Sequence, residues 1–136
     1  IIMEHTNVIE CSTPAEFEKI FNEQKEKDDY WLAWFYGGFD AEKGEGWCSD
    51  CVITEPHIEK AIKEHWGDKL VVKAVVQTRD EWKGVTDHPY RVNPSLGLVG
   101  IPTLVILQKD TQLLKVDDEA GLSNEEDLEE LLTTYQ

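Results

Sequence analysis

The hydrophobic positions along the chain form continuous apolar runs and helical repeats. Residues 30–36 (Tyr-Trp-Leu-Ala-Trp-Phe-Tyr) are one such run, and residues 69–78 form another that is rich in β-branched side chains. A strand without polar alternation is typical of the interior of an α/β sheet, because it is buried on both faces. Shorter strands are predicted at residues 7–11 and at residues 102–107, the latter turning back into an antiparallel partner at 113–116.

Helices are predicted from capping signals and from the spacing of apolar residues. Residues 13–16 (Thr-Pro-Ala-Glu) form a capping box, and apolar residues at helical spacing extend this helix to about residue 26. A long helix in the middle of the chain ends at Gly67 and should be interrupted and kinked at Pro56. A second capping box at residues 123–126 starts the last helix.

These elements follow the order β-α-β-α-β-(α)-β-β-α, in which the bracketed helix is a short one within the polar segment 79–100. Strands that alternate with helices pair in parallel, and the final hairpin adds antiparallel pairing. We therefore predict a single α/β domain over residues 1–136, with a central mixed β-sheet flanked by helices on both faces.

The net charge narrows the classes of partner. The chain of 136 residues carries a formal charge of −15, with 40% hydrophobic and 30% charged residues. Nucleic acid and anionic membrane surfaces are disfavoured as partners, because like charges repel. Solubility explains the charge most simply, and a preference for basic partners is the alternative.

The sequence also bears on localisation. No apolar run approaches the roughly 20 residues of a membrane-spanning helix, and residues 1–5 do not have the pattern of a secretory signal. We expect a cytoplasmic protein that acts as a monomer and binds neither membranes nor nucleic acid.

The segment Cys48-Ser49-Asp50-Cys51 is the candidate site, because this cysteine spacing in a cytosolic protein points to redox chemistry or metal binding. If Cys48 is the N-cap of the long helix, its sulfur accepts the free N–H groups of Asp50 and Cys51 and lies at the positive end of the helix dipole. Both effects lower the pKa of its thiol from roughly 8.5. Cys51, one turn further on, can then close a disulfide with Cys48.

This arrangement predicts a thiol–disulfide oxidoreductase. The Cys48 thiolate attacks a substrate disulfide, Cys51 resolves the mixed disulfide, and a reductase must then reset the pair. Asp50 has two opposed effects, because its carboxylate assists the helix dipole while its charge opposes formation of the Cys48 thiolate.

Two alternatives remain. The first is a zinc site, since His57 and His65 follow on the same helix, although structural zinc usually takes two Cys or His pairs and only one Cys-x-x-Cys is present. The second is a binding or adaptor module whose cysteines are incidental. We expect His5, His65 and His88 at the surface, and Cys11 packed inside the first strand with a regulatory thiol as the alternative.

The motif at residues 47–51 (Trp-Cys-Ser-Asp-Cys), followed by Pro56, resembles the thioredoxin family, as does Gly-Ile-Pro-Thr at residues 100–103. Within it, the chain resembles the thioredoxin domain-containing protein 17 group, also called the 14-kilodalton thioredoxin-related proteins, more closely than thioredoxin itself. That group has the motif Trp-Cys-Pro-Asp-Cys after a longer loop and before Glu-Pro, which match here the loop 37–46 and residues 55–56.

The resemblance implies a thioredoxin fold with Cys48 as nucleophile and Cys51 as resolving cysteine. It implies no bound cofactor beyond this redox disulfide, and reducing equivalents from NADPH through thioredoxin reductase. Substrates would be selected protein disulfides or small disulfides such as cystine. The resemblance also implies roles in redox tuning and substrate binding for Trp47, Ser49, Asp50, Ile101 and Pro102. It implies that Pro102 is a cis proline that faces the disulfide.

Two departures from the family pattern matter. Trp34 stands where thioredoxins keep a buried aspartate, so the usual proton acceptor for the resolving cysteine is missing, and Asp50 or a water is expected to replace it. Ser49 replaces a proline, which relaxes the start of the helix. We therefore expect a more oxidising couple than in a proline version.

Overall fold

The apolar run that begins at Tyr30 forms the central strand of a five-stranded sheet in the computed structural model, which describes residues 7–135. The strands in this part of the chain are β1 (Val8–Cys11), β2 (Tyr30–Gly37), β3 (Phe39–Asp40), β4 (Glu45–Gly46), β5 (Val71–Val76), β6 (Thr103–Gln108) and β7 (Thr111–Val116). The helices are α1 (Pro14–Gln24), α2 (Ser49–His65), α3 (Arg79–Trp82), α4 (Pro89–Val92), α5 (Glu119–Leu122) and α6 (Glu125–Thr134).

The five strands lie in the order β1-β5-β2-β6-β7. Strand β5 pairs in parallel with both β1 and β2, whereas β6 pairs antiparallel with both β2 and β7. Ala33 lies at the centre, opposite Val72 on one side and Val105 on the other. This is the predicted mixed sheet, in which parallel crossovers are followed by a hairpin.

Helices cover both faces of the sheet. Alternate side chains of β2 point to opposite faces, so each face of this strand packs against a different set of helices. Trp31, Ala33 and Phe35 pack in a cluster with side chains of α1, α3 and α4. Leu32 and Trp34 pack in a second cluster with side chains of α2, α5 and α6. The predicted central strand is thus buried on both faces, and the predicted fold class is confirmed.

Two details of the helix predictions are wrong. Pro56 does not interrupt α2, which runs from Ser49 to His65. The last helix is capped by Asn124, whose side chain accepts the N–H of Asp127, and not by Ser123. Ser123 instead ends the short helix α5, where its N–H donates to the carbonyl of Glu119.

Two connecting segments contain more structure than was predicted. The loop 37–46 contains the small β3–β4 hairpin, and the segment 79–100 contains α3 and α4 in place of one short helix. No helix in residues 7–135 is long and apolar enough to cross a membrane. The predictions for residues 1–5, on a secretory signal and on His5, lie outside the described residues.

Candidate active site

Cys48 and Cys51 form a disulfide at the start of α2, with their Cα atoms 5.2 Å apart. Cys48 is the N-cap of this helix, with extended backbone at φ −108° and ψ 104°. The backbone N–H of Cys51 donates to Cys48 Sγ at 3.3 Å. The predicted N-cap position and the bond from Cys51 are therefore confirmed, whereas the predicted bond from the Asp50 N–H is not among the contacts of Cys48. In the dithiol form this geometry places the Cys48 sulfur where a negative charge is stabilised.

The two cysteines differ in exposure. Cys48 is half-buried, and the neighbouring Ser49 and Asp50 are exposed. Cys51 is only 4% exposed, and its Sγ accepts the backbone N–H of Gly37 at 3.3 Å. An incoming disulfide therefore meets Cys48 first, while Cys51 lies behind it in the interior.

The segment before β6 forms the opposite side of the site. The Ile101–Pro102 peptide bond is cis, as the resemblance implied. The carbonyl oxygen of Ile101 lies 3.7 Å from Cys48 Sγ, while Ile101 is half-buried and Pro102 is buried. A backbone group of this segment thus lies directly beside the sulfur that a substrate would reach.

Arg91 of α4 links the segment before β6 to the end of α3. Its guanidinium donates to the carbonyl of Val99 at 2.6 Å and to the carbonyl of Trp82 at 3.1 Å. The same group stacks on the Trp82 ring, 3.7 Å from the ring centroid. Thr103 adds a hydrogen bond from its hydroxyl to the carbonyl of Gly100 at 2.7 Å.

Trp47 joins the site to the sheet. Its indole N–H donates to the carbonyl of Val76 at the end of β5, at 2.8 Å. Its backbone N–H donates to the carbonyl of Gly38, which follows β2. A Cβ on Gly37 would come within 2.7 Å of the Trp47 ring and 2.8 Å of the Cys48 Cβ, so only glycine fits there.

The β3–β4 hairpin carries an apolar surface to the start of α2. Phe39 pairs across the hairpin with Gly46 and is 69% exposed. A Cβ on Gly46 would meet Val52 at 2.9 Å, so this face of the hairpin is turned toward the first turn of α2. The loop 37–46 therefore brings an exposed aromatic ring onto the hairpin that packs against the first turn of α2.

Comparisons with known proteins give the family of this chain. Residues 11–134 match the family model described as thioredoxin domain-containing protein 17-like, thioredoxin domain. The chain belongs to this family. A thioredoxin-like protein Clot from Oryza sativa subsp. japonica is 30% identical over 119 residues, which are 83% of this chain and 85% of that protein.

Solved structures show the same fold. The thioredoxin NaTrxh from Nicotiana alata superposes with a TM-score of 0.64 at 20% identity, covering 98% of this chain and 96% of that one. A chain from a complex of ferredoxin:thioredoxin reductase with thioredoxin f2 gives a TM-score of 0.54 at 18% identity, covering 94% of this chain and 92% of that one. This member of the thioredoxin domain-containing protein 17-like family thus has a thioredoxin fold, a thiol–disulfide oxidoreductase scaffold with a redox-type cysteine pair.

The position of Trp34 shows how this thioredoxin-like protein departs from the wider family pattern. Trp34 lies opposite Lys73 in the β2–β5 pairing, is 2% exposed and has no hydrogen-bond partner for its indole nitrogen. The Lys73 ammonium lies 4.9 Å from the Trp34 ring centroid and 5.4 Å from that of Tyr36. An indole cannot accept a proton, so no acid–base group sits at this point of the strand.

A carboxyl pair that was not predicted from the sequence lies close to this place. Glu55 and Glu59 lie one turn apart on α2, and burial, followed by the negative charge of Glu59, raises the pKa of Glu55. Lys73 opposes this rise and lies 4.0 Å from Glu59. The signal available in the sequence was the position of Glu55, one helical turn after Cys51.

Among the other predicted positions, that of Cys11 is confirmed, that of His88 is wrong, and His65 is half-buried where a surface position was expected. Cys11 is packed in β1 at 1% exposure, and burial raises the pKa of its thiol to about 11. His88 was expected at the surface but is 5% exposed, because its Nδ1 accepts the N–H of Tyr90 at the start of α4. Among residues 7–135, no three side chains of His, Cys, Asp or Glu come together in a way that could hold a metal ion.

Proposed function

We propose that this chain is a disulfide reductase in which Cys48 is the nucleophile and Cys51 the resolving cysteine. The observation that carries the proposal is the pairing of a half-exposed Cys48 at the N-cap of α2 with a buried Cys51 whose N–H points at the Cys48 sulfur. A helix N-terminus stabilises a thiolate through its free N–H groups and its dipole. The thiolate is the form that attacks disulfides.

The proposed reaction proceeds in two exchanges. The Cys48 thiolate attacks one sulfur of the substrate disulfide, forms a mixed disulfide and releases the other substrate sulfur as a thiolate. The Cys51 thiolate then attacks Cys48 Sγ, forms the Cys48–Cys51 bond and releases the second substrate thiol. The substrate is reduced by two electrons and the cysteine pair is oxidised.

Substrate selection is proposed to involve the surfaces on either side of Cys48. The Ile101 carbonyl is available to a backbone N–H of an extended substrate segment, in the manner of strand addition. Phe39 and Val52 offer an apolar surface on the other side, where Val52 is 48% exposed. Together with the net charge of −15, these features favour protein disulfides with apolar and basic neighbours, and small disulfides such as cystine remain candidates.

The electron donor is proposed to be thioredoxin reductase, which takes its electrons from NADPH. A fold neighbour comes from a complex of ferredoxin:thioredoxin reductase with thioredoxin f2, which supports a reductase partner in general. The proposal places the protein in the cytoplasm, where thiols are kept reduced. The unpaired Cys11 in its interior is compatible with such a compartment.

The test is a coupled assay with NADPH, thioredoxin reductase and cystine. The wild type should oxidise NADPH, Cys48→Ser should be inactive, and Cys51→Ser should stop at a mixed disulfide that mass spectrometry detects. Cys11→Ala is the matched control and should retain activity, because Cys11 is buried away from solvent. Undiminished turnover by Cys48→Ser would overturn the proposal, and a wild type that never turns over would favour the adaptor alternative.

A further inference from the structure

Resolution of the mixed disulfide requires a thiolate at Cys51. Cys51 is 4% exposed, and burial disfavours the charged form of a thiol. The Gly37 N–H that donates to its sulfur stabilises the anion but cannot remove the proton. A proton acceptor is therefore needed near Cys51, and Trp34 cannot serve as one.

Glu55 lies on the same face of α2 as Cys51, four residues further on. Residues that are four apart are neighbours on a helix surface, with Cβ atoms roughly 5–6 Å apart. Helical side chains lean toward the N-terminus, so the surface they cover lies over the preceding turn. Glu55 is half-buried and its side chain is expected over the turn that carries Cys51, whereas Asp50 is exposed.

The surroundings of Glu55 are suited to holding one proton. The negative charge of Glu59, one turn further along α2, favours the protonated form of the Glu55 carboxyl. From the sheet it faces Lys73 of β5 and Glu10 of β1, and its charge also acts on the Tyr36 hydroxyl of β2. Burial, Glu59 and Glu10 raise the pKa of Glu55, while Lys73 limits that rise.

We propose that Glu55 takes the proton of the Cys51 thiol when the mixed disulfide is resolved, a role that Trp34 cannot perform. This rests on the proposed function, since it concerns the second exchange. The S–H bond of Cys51 breaks and its proton moves to a Glu55 oxygen. The resulting thiolate displaces the substrate sulfur from Cys48, and the departing thiolate takes a proton from Glu55 or from water.

The test separates the two exchanges by stopped-flow absorbance with the reduced protein and dithiobis(nitrobenzoate), which releases a coloured thiolate at each exchange. The first release reports attack by Cys48, and the second reports resolution by Cys51. Absence of the first release in the wild type would refute the proposed function. The inference on Glu55 is decided by the rate of the second release alone.

Glu55→Gln should leave the first release unchanged and slow the second by about 100-fold near neutral pH, which is at the low end for loss of a general base. The difference from the wild type should shrink as the pH rises and Cys51 ionises without help. If Glu55 acted only through its negative charge, Glu55→Gln would speed up the second release, because removal of a negative charge makes the Cys51 thiol easier to ionise. An unchanged or faster second release in Glu55→Gln would overturn the proposal.

Three further variants keep the result interpretable. Glu59→Gln removes the same charge one turn further along α2 and should change the second rate much less. Asp50→Asn tests the other carboxylate, and a slowing confined to that variant would contradict the assignment to Glu55. Glu55→Asp keeps a carboxyl group and should recover part of the rate together with the pH profile of the wild type, which loss of packing alone would not produce.

Discussion

Gly37 and Cys51 are joined by a hydrogen bond in which the backbone N–H at the end of β2 donates to the buried sulfur at 3.3 Å. The same glycine lies against the Trp47 ring and the Cys48 Cβ. One residue at the carboxyl end of the central strand therefore contacts three side chains of the site. This contact explains how the sheet fixes the position of the redox pair.

Gly37→Ala tests this contact. The added methyl group would lie within 2.7 Å of the Trp47 ring and 2.8 Å of Cys48 Cβ, so Trp47 and the start of α2 must move. We expect a loss of about 1–3 kcal/mol in the free energy of unfolding, as for other overpacked sites, together with slower disulfide reduction. Urea unfolding and the coupled assay measure the two effects.

The matched control is Gly100→Ala, where an added Cβ meets nothing within 4 Å. It should change the free energy of unfolding by much less than Gly37→Ala. Equal stability losses in the two variants would contradict the close approach at Gly37.

Ser49→Pro should make the couple more reducing, by on the order of 30 mV, which is a tenfold change in the glutathione equilibrium constant. Proline at the first helical position restrains the turn between the two sulfurs and so favours the disulfide over the dithiol. The extended backbone of Cys48 is compatible with a following proline. Glutathione titration of both proteins gives the two potentials, and a proline variant of equal or more oxidising potential would refute the argument.

The parts of the molecule that the sequence predicted well are those with a strong local signal. The apolar run beginning at Tyr30 identified the central strand, and the cysteine spacing placed Cys48 at the N-cap of α2. The β3–β4 hairpin has two residues in each strand, too few for a period to be recognised. The burial of His88 depends on its ring contact with Trp82 of another helix, which no local pattern reports. The spacing of Glu55 and Glu59 on one helix could be read from the sequence, but the position of this pair beside Lys73 of the sheet could not.

Arg91→Lys should weaken the segment that leads to Ile101. Lysine keeps the charge but cannot donate in a fork to the carbonyls of Val99 and Trp82, and it stacks less well on the Trp82 ring. We expect a loss of about 1–2 kcal/mol in the free energy of unfolding, measured by urea. The exposed Arg79→Lys serves as the control, and similar stability in both variants would show that the fork contributes little.

The lowered pKa of His88 predicts that the stability of the protein falls on acidification. Burial lowers the pKa of His88 in the folded protein, with Arg91 acting in the same direction and Glu81 and Asp87 against it. Below the ordinary value of about 6.5, the unfolded chain binds a proton that the folded protein excludes, so stability falls as the pH falls toward the folded pKa. Above that value both states are neutral and the effect vanishes.

The measurement compares urea unfolding of the wild type and His88→Asn at pH values on either side of 6.5, roughly 7.5 and 5.5. Asparagine can still accept the N–H that caps α4 but does not titrate. The wild type should lose more stability on acidification than the variant. An identical loss in both proteins would show that His88 does not contribute to the pH dependence.

The account depends above all on the ionisation of Cys48 at the start of α2. The most direct measurement is the rate at which iodoacetamide alkylates Cys48 in the reduced protein as a function of pH, with the modified peptide quantified by mass spectrometry. Cys11 provides an internal reference, since its pKa of about 11 should leave it unmodified. We predict a midpoint at least about one pH unit below the ordinary thiol value of roughly 8.5; a midpoint at or above that value would contradict a thiolate stabilised by the helix N-terminus.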